Sequence, residues 1–274
     1  MNTADALATL AKAGLANVTG DLQRLVAPSI RATTSKADEA SLAVGASKLG
    51  GQPDMPLGTA WPVKTQPLSF VGQIKLDDLR AFDAARALPA SGLLSFFYDA
   101  TQQTFGDDPN SKGNWQVLYF PANAGQLQRV SAPTGMMPAG AQFTACALSF
   151  AEEPTLPQQP ELEIPTLRWT DAEKSAYDAA LPNFPAANDH TLPHNRLLGH
   201  PNTIQDDMRM EVQVASHGLK GDDPKAAALQ PGAMNWRLLF QVDSDPNAGM
   251  RWASSGMLYY WIEDAALKAQ RFED

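Results

Sequence analysis

The sequence predicts an α+β fold: a predominantly antiparallel sheet, internally duplicated, with an N-terminal helix and long Pro-rich loops. Three observations predict it. Short runs rich in aromatic and β-branched residues recur between turn signals: Leu93–Tyr98 reads LLSFFY, Trp115–Phe120 reads WQVLYF, and DDPNSKGN at 107–114 lies between them. Two such runs repeat in order, since FVGQIKLD at 70–77 is answered by LLFQVDSD at 238–245, and SGLLSFFY at 91–98 by SGMLYYWI at 255–262. Helical periodicity is strongest at the start of the chain.

The elements follow in order. Leu7 and Leu10, then Leu22, Leu25 and Val26, set apolar stripes for one or two amphipathic helices over 3–26; Gly14 and Gly20 weaken the middle and Pro28 stops the element. Residues 45–67 carry Gly45, Gly50, Gly51, Pro53, Pro56, Gly58, Pro62 and Pro67, a pattern that excludes a regular helix or a central strand and predicts an ordered loop pinned by Trp61. Leu68–Leu76 is a strand, 77–87 turns helical, and 142–150 continues the sheet. Residues 151–201 hold eight prolines. One helix interrupts them, opened by a Thr170/Glu173 capping box and ended by Pro182; the segment is expected to wrap over the sheet. The expected organisation is a helical segment, 1–27, and one α+β domain, 28–274, with pseudo-repeat halves at about 68–150 and 200–274.

Composition bounds the function. With 274 residues, 44% hydrophobic, 11 Phe and 6 Trp, the chain can bury a core, which excludes disorder over its whole length. The longest apolar runs fall short of a membrane span, and a lone Cys146 excludes an internal disulfide framework. A net charge of -9 disfavours free nucleic acid. That charge is one-sided: residues 1–137 carry 11 basic and 11 acidic side chains, and residues 138–274 carry 10 and 19. Such a field steers basic partners. With no basic n-region before Asp5, the expected compartment is the cytoplasm.

Motifs for chemistry are weak. Cys146 sits in an apolar strand with no base nearby in sequence, which predicts a buried structural thiol. Asp189, His190, His194 and His200 suggest zinc, but Pro193 breaks the helix that would align His190 with His194, so backbone hydrogen bonding within a folded loop is the expectation for His194 and His200. Asp243, Asp245 and Asn247 match the first positions of a calcium loop, but Ala248 and Ser254 stand where Gly and Glu are required; a strand-end Asx turn is the simple alternative. Gly50-Gly51 fits no phosphate-loop spacing and predicts positive φ near a packed Trp61. No metal, cofactor or catalytic residue is assigned.

Four blocks are specific: SKLGGQPDMP at 47–56 followed by Trp61-Pro62; FVGQI at 70–74; HNRLLGHP at 194–201 followed by IQDD at 204–207; and LFQVDSD at 239–245 followed by Trp252 and GMLYYWI at 256–262. Together, in this order and over roughly 28–272, they resemble the YwqG-like family of bacterial proteins. One departure stands out: family members usually carry an acidic residue between that Trp and Gly, and here the stretch is Ala253-Ser254-Ser255. The resemblance implies an α+β fold with antiparallel sheets and internal pseudo-symmetry, and no established reaction. Some relatives are associated with toxins and look like immunity proteins.

The leading functional expectation is therefore a cytoplasmic immunity protein of interbacterial competition, of the kind paired with type VI or other contact-delivered effectors. It would be no enzyme and would block a cognate, basic toxin domain, plausibly a nuclease. Its partner surface would be acidic: Glu152, Glu153, Glu161, Glu163, Asp206, Asp207, Asp222 and Asp223. The further acid pairs Asp77-Asp78 and Asp107-Asp108 read as solvated turns or helix starts. A monomer is favoured. The alternative is a small-ligand or cation-binding protein, possibly a hydrolase, with a site at the pseudo-symmetric centre. Lys48, Gly50, Gly51, Asp54, Trp61, Gln73, Gln205, Asp243 and Asp245 belong to the specific blocks, as ligand site or as polar scaffold.

Overall fold

The structure is a computed structural model and describes residues 3–99, 101, 104–135, 137–184 and 193–273. Its centre is one nine-stranded sheet in which every pairing is antiparallel. The strands in chain order are β1 (Ala27–Lys36), β2 (Lys48–Leu49), β4 (Ser69–Lys75), β5 (Leu93–Tyr98), β6 (Trp115–Phe120), β8 (Cys146–Thr155), β9 (Arg196–Leu197), β10 (Trp236–Asp243) and β11 (Met257–Glu263). Their spatial order is β11-β10-β9-β1-β8-β2-β4-β5-β6. A two-stranded ribbon, β3 (Asp54–Pro56) with β7 (Leu127–Arg129), lies apart from it. The expected α+β, mainly antiparallel fold is the fold observed.

The sheet curls, so its two halves share a core: Phe96 of β5 packs on Phe240 of β10 and on Tyr260 of β11, with ring centroids 4.8 and 5.0 Å apart. The Tyr260 hydroxyl donates to the Phe97 carbonyl across the fold.

The duplication is larger than the repeated strands suggest. β10 and β11 answer β4 and β5, and β9 answers β2. KLGGQPD at 48–54 and RLLGHPN at 196–202 then run in step. Leu197 pairs with Ile30 on β1 and Leu49 pairs with Cys146 on β8, so β1 and β8 exchange roles about a pseudo-dyad through the Thr33/Ser149 pair.

Several expectations need correction. No strand was expected over 27–36, yet β1 is one of the two longest strands and lies mid-sheet, with Ser29–Ala32 buried. The segment 45–67 was expected to hold no central strand, but Lys48–Leu49 sit between β8 and β4. A two-residue strand leaves no periodicity in sequence. β8 begins later than expected and runs on through Glu152 and Glu153, because Phe143 and Thr144 spend their backbone groups on Gly51 and Ala248 instead.

The N-terminal helices, α1 (Thr3–Leu10) and α2 (Thr19–Leu25), are separated by irregular turns centred on Gly14, whose φ is 101°. Their apolar face does not pack on the main sheet core. Leu10, Leu15, Leu22 and Leu25 form a second core with Leu156, Ile164, Leu167, Tyr177 and Phe184. The segment 156–184 therefore covers the helices rather than wrapping over the sheet. It contributes α3 (Pro160–Glu163) and α4 (Asp171–Ala180), whose Thr170/Glu173 capping box is present as expected. Between β9 and β10 lie α5 (Arg209–Ser216) and α6 (Gln230–Ala233), and α7 (Asp264–Lys268) follows β11.

Candidate functional site

Each half of the sheet carries a buried polar clamp at the same place. In the first half, Gln73 donates to the Ala46 carbonyl and to Asp54 Oδ2, both at 2.8 Å, while its carbonyl accepts from the Asp54 N–H at 2.8 Å. In the second, Gln241 donates to the His194 carbonyl and to Asn202, and accepts from the Asn202 N–H. The β-strand fixes one amide side chain, and the loop after the short strand returns over it.

Charges fill these clamps differently. Lys48 and Asp54 are fully buried, with Lys48 Nζ 2.9 Å from Glu39 and 3.2 Å from Asp54. Arg129 Nε lies 3.1 Å from Asp54 and 3.0 Å from Glu39, and its other nitrogens donate to the Glu39 and Leu42 carbonyls. Burial alone would raise the Asp54 pKa. The Gly45 N–H, Arg129, Lys48 and Gln73 together outweigh it and hold the carboxyl below its ordinary value. In the second half, Arg196 pairs with Glu153 at 2.6 Å, and Arg31 approaches the same carboxylate at 3.5 Å. Asp243 accepts from the His194 N–H; Asp245 accepts from Thr34, Asn195 and the Asn247 N–H, the last being the expected Asx turn.

The residues proposed for a central ligand site are thus divided. Lys48, Asp54 and Gln73 close on one half; Asp243 and Asp245 close on the other; Gln205 is exposed. Lys48, Asp54, Gln73, Asp243 and Asp245 direct their polar atoms to neighbouring side chains and backbone. Gly50 and Gly51 have φ of 62° and 73°, and a Cβ on Gly50 would collide with the Thr144 carbonyl. Trp61 donates to the Leu68 carbonyl and meets Phe97 edge-on at 5.7 Å, which pins the loop. Cys146 is buried, and burial with the nearby Asp245 charge pushes its thiol up to about 11, far from a reactive thiolate. His200 contacts the Leu25 carbonyl through Nε2 at 2.8 Å. Asp189 and His190 lie outside the described residues. Among the described residues, no three His, Cys, Asp or Glu side chains come together to hold a metal ion.

Most of the expected acidic surface is already partnered. Glu153 is held by Arg196 and Arg31, Glu163 and Asp207 both hold Arg209, and Glu161 pairs with Lys174 at 3.0 Å. Glu152 accepts the Ala84 N–H, Asp206 accepts from Gln159, and Asp223 accepts the Lys225 N–H. Asp222 is different. It lines a recess of about 300 Å³ with Asp107, Asp108, Glu211, Val214, Lys220 and Gly221. Four carboxylates face one ammonium there, and Lys220 reaches Asp108 at 3.0 Å. Burial, then the charges of Asp107 and Asp206, raises the Glu211 pKa above the ordinary carboxylate value. Sequence reading left Glu211 out because it is a lone acid on α5, and took Asp107-Asp108 as a turn. Only the fold brings 107–108, 211 and 220–222 together.

A curled, duplicated antiparallel sheet with a polar clamp in each half and an acidic recess on one side defines a class of α+β protein, not a reaction. The chain belongs to the family described as a domain of unknown function, DUF1963, whose model matches residues 47–274. That span takes in the recess and both glutamines with Asp54 and Asn202, and leaves out α1, α2 and β1 together with Ala46 and Glu39 of the first clamp. None of the curated proteins compared with the chain matches it. No helix among the described residues is long and apolar enough to cross a membrane.

Proposed function

We propose that the protein is a binding protein whose acidic recess takes a basic partner, and that the partner is a bacterial toxin domain which it blocks stoichiometrically as a cytoplasmic immunity protein, without chemistry of its own. The observation that carries this reading is the recess of Asp107, Asp108, Glu211 and Asp222 around Lys220. Its charge has the sign of the whole chain, -9, so near and far fields act together on an approaching cation. Burial first, and then the like charges of Asp107 and Asp206, raise the Glu211 pKa, and a bound cationic side chain would offset the charge part of that shift. The YwqG-like sequence blocks support the immunity reading by analogy with toxin-associated relatives.

The test is co-expression with the product of the neighbouring reading frame. Rescue of growth and a stoichiometric complex are expected. Glu211→Lys with Asp222→Lys should slow association at least about tenfold at low salt and weaken rescue. Inhibition that survives the double reversal unchanged would move the interface elsewhere. Absence of any complex would overturn the immunity reading.

A further inference from the structure

The loops that return over the two glutamines differ at one matching position. KLGGQPD and RLLGHPN put Gln52 and His200 in step. Each gives its backbone N–H to a side chain, Gln52 to Glu39 Oε2 and His200 to Thr155 Oγ1 at 2.9 Å. Their side chains then part. The Gln52 amide reaches the Ser131 hydroxyl, whereas the His200 imidazole meets the Leu25 carbonyl at the end of α2. A carbonyl only accepts, so Nε2 carries the proton and Nδ1 of the neutral ring keeps its lone pair.

Leu25 belongs to the helical layer built from α1, α2 and the segment 156–184, whose apolar cluster is separate from the core of the sheet. The chain joins layer and sheet where α2 gives way to β1 and where β8 ends at Thr155. Polar contacts tie the two together elsewhere. Besides His200 with Leu25, Glu163 of α3 meets Arg209 of α5 at 2.7 Å, and Gln159 donates to Asp206 at 3.4 Å.

The His200 ring is partly buried where these contacts converge. Glu163 faces it from α3, Arg209 from α5 and Arg196 from β9. The carboxylates around those guanidiniums are already engaged: Glu163 and Asp207 hold Arg209, and Glu153 holds Arg196. A proton on Nδ1 would therefore add a third cation beside two others. Burial of the ring, aided by Arg209 and Arg196 and opposed by Glu163 and the Leu25 carbonyl, holds the His200 pKa below its ordinary 6.5.

We infer that His200 is an acid-sensitive latch: its neutral ring ties the helical layer to the second half of the sheet, and protonation releases the ring to water and loosens the layer. The first half carries a glutamine at this position, which does not titrate. The hydrated ring of the open state has the ordinary value and the closed ring a lower one. The latch is thus fully formed above 6.5 and weakens as pH falls from there through the lowered value. This device is independent of the immunity reading.

The experiment is amide hydrogen exchange of the full chain from pH 7.5 to pH 5, corrected for the intrinsic rate. The amides of α2 and of His200 should lose protection by at least about threefold. They should also remain less protected than Phe96 in β5, which marks opening of the layer rather than of the whole fold. His200→Gln keeps a donor for Leu25, cannot titrate and restores the residue of the first half, so its α2 amides should hold their protection. Protection that does not change with pH in the unmodified chain, α2 amides as slow as Phe96, or an equal loss in His200→Gln would each overturn the proposal. If His200→Gln does not fold, the imidazole resonances of the unmodified chain decide. They should titrate below 6.5, and titration at or above 6.5 would overturn the latch.

Discussion

Gly50 and Leu198 occupy the same place in the two halves, with φ of 62° and 61°. Each follows a two-residue central strand and turns the chain back over its glutamine clamp. One is the residue that prefers this conformation, and the other is a buried Leu, 5% exposed. The difference lies in the surroundings. At Gly50 the Thr144 carbonyl occupies the position of a Cβ, whereas Leu198 sends its side chain into the shared core.

That relationship orders three variants. Gly50→Ala should cost about 2 kcal/mol or more, because left-handed strain adds to a backbone collision. Leu198→Ala loses core packing and keeps the strain, at about 2–4 kcal/mol. Leu198→Gly loses the same packing but releases the strain, so it should be less destabilised than Leu198→Ala by about 1 kcal/mol. Urea unfolding of all three checks the order; a Leu198→Gly variant weaker than Leu198→Ala would refute it.

The buried network predicts non-additive costs. Lys48→Met leaves Asp54 buried with Arg129 as its remaining cation and should cost about 3–5 kcal/mol. Lys48→Met with Asp54→Asn should cost less than the sum of the single changes, because the second change removes the charge the first stranded. A double-mutant cycle by chemical denaturation measures the coupling.

Asp54 also sets an acid limit. Its folded pKa lies below its ordinary value of 3.8, so the stability it contributes is fully present above that value and is lost as pH falls through the lowered one. Asp54→Asn should flatten this part of the acid-unfolding curve. Identical curves below pH 4 for the two proteins would show that Asp54 does not contribute there.

Glu211 has the opposite sign. Its folded pKa is raised from 4.5, so as pH rises through that window the unfolded chain ionises first and the folded state loses ground. Glu211→Gln should raise Tm slightly at pH 7 and leave it unchanged near pH 4. The same variant should bind a basic partner less well, so stability and binding would move in opposite directions.

The blocks that were legible in sequence are those in which neighbours along the chain do the work. The Thr170/Glu173 capping box, the Asp245–Asn247 Asx turn, the positive φ at Gly50-Gly51 and the runs LLSFFY and WQVLYF each carry a local signature. β1 does not. APSIRATTSK is mixed in polarity, and it is a strand because β8 and β9 flank it. Charge misled for the same reason. The acids at 152–163 look like a solvated face until Arg31, Arg196 and Arg209 arrive from distant segments, with Lys174 from the following helix, to pair with them.

The sequence by itself determined the class of fold, the presence of a repeat and the sign of the protein's field, because periodicity, turn chemistry and net charge are sums over neighbouring residues. The tertiary structure decided which acids gather with Glu211 in the recess and how the repeat closes through exchanged central strands. Those depend on Coulomb and hydrogen-bond partners brought together by long-range pairing, and no window along the chain contains both members of such a pair.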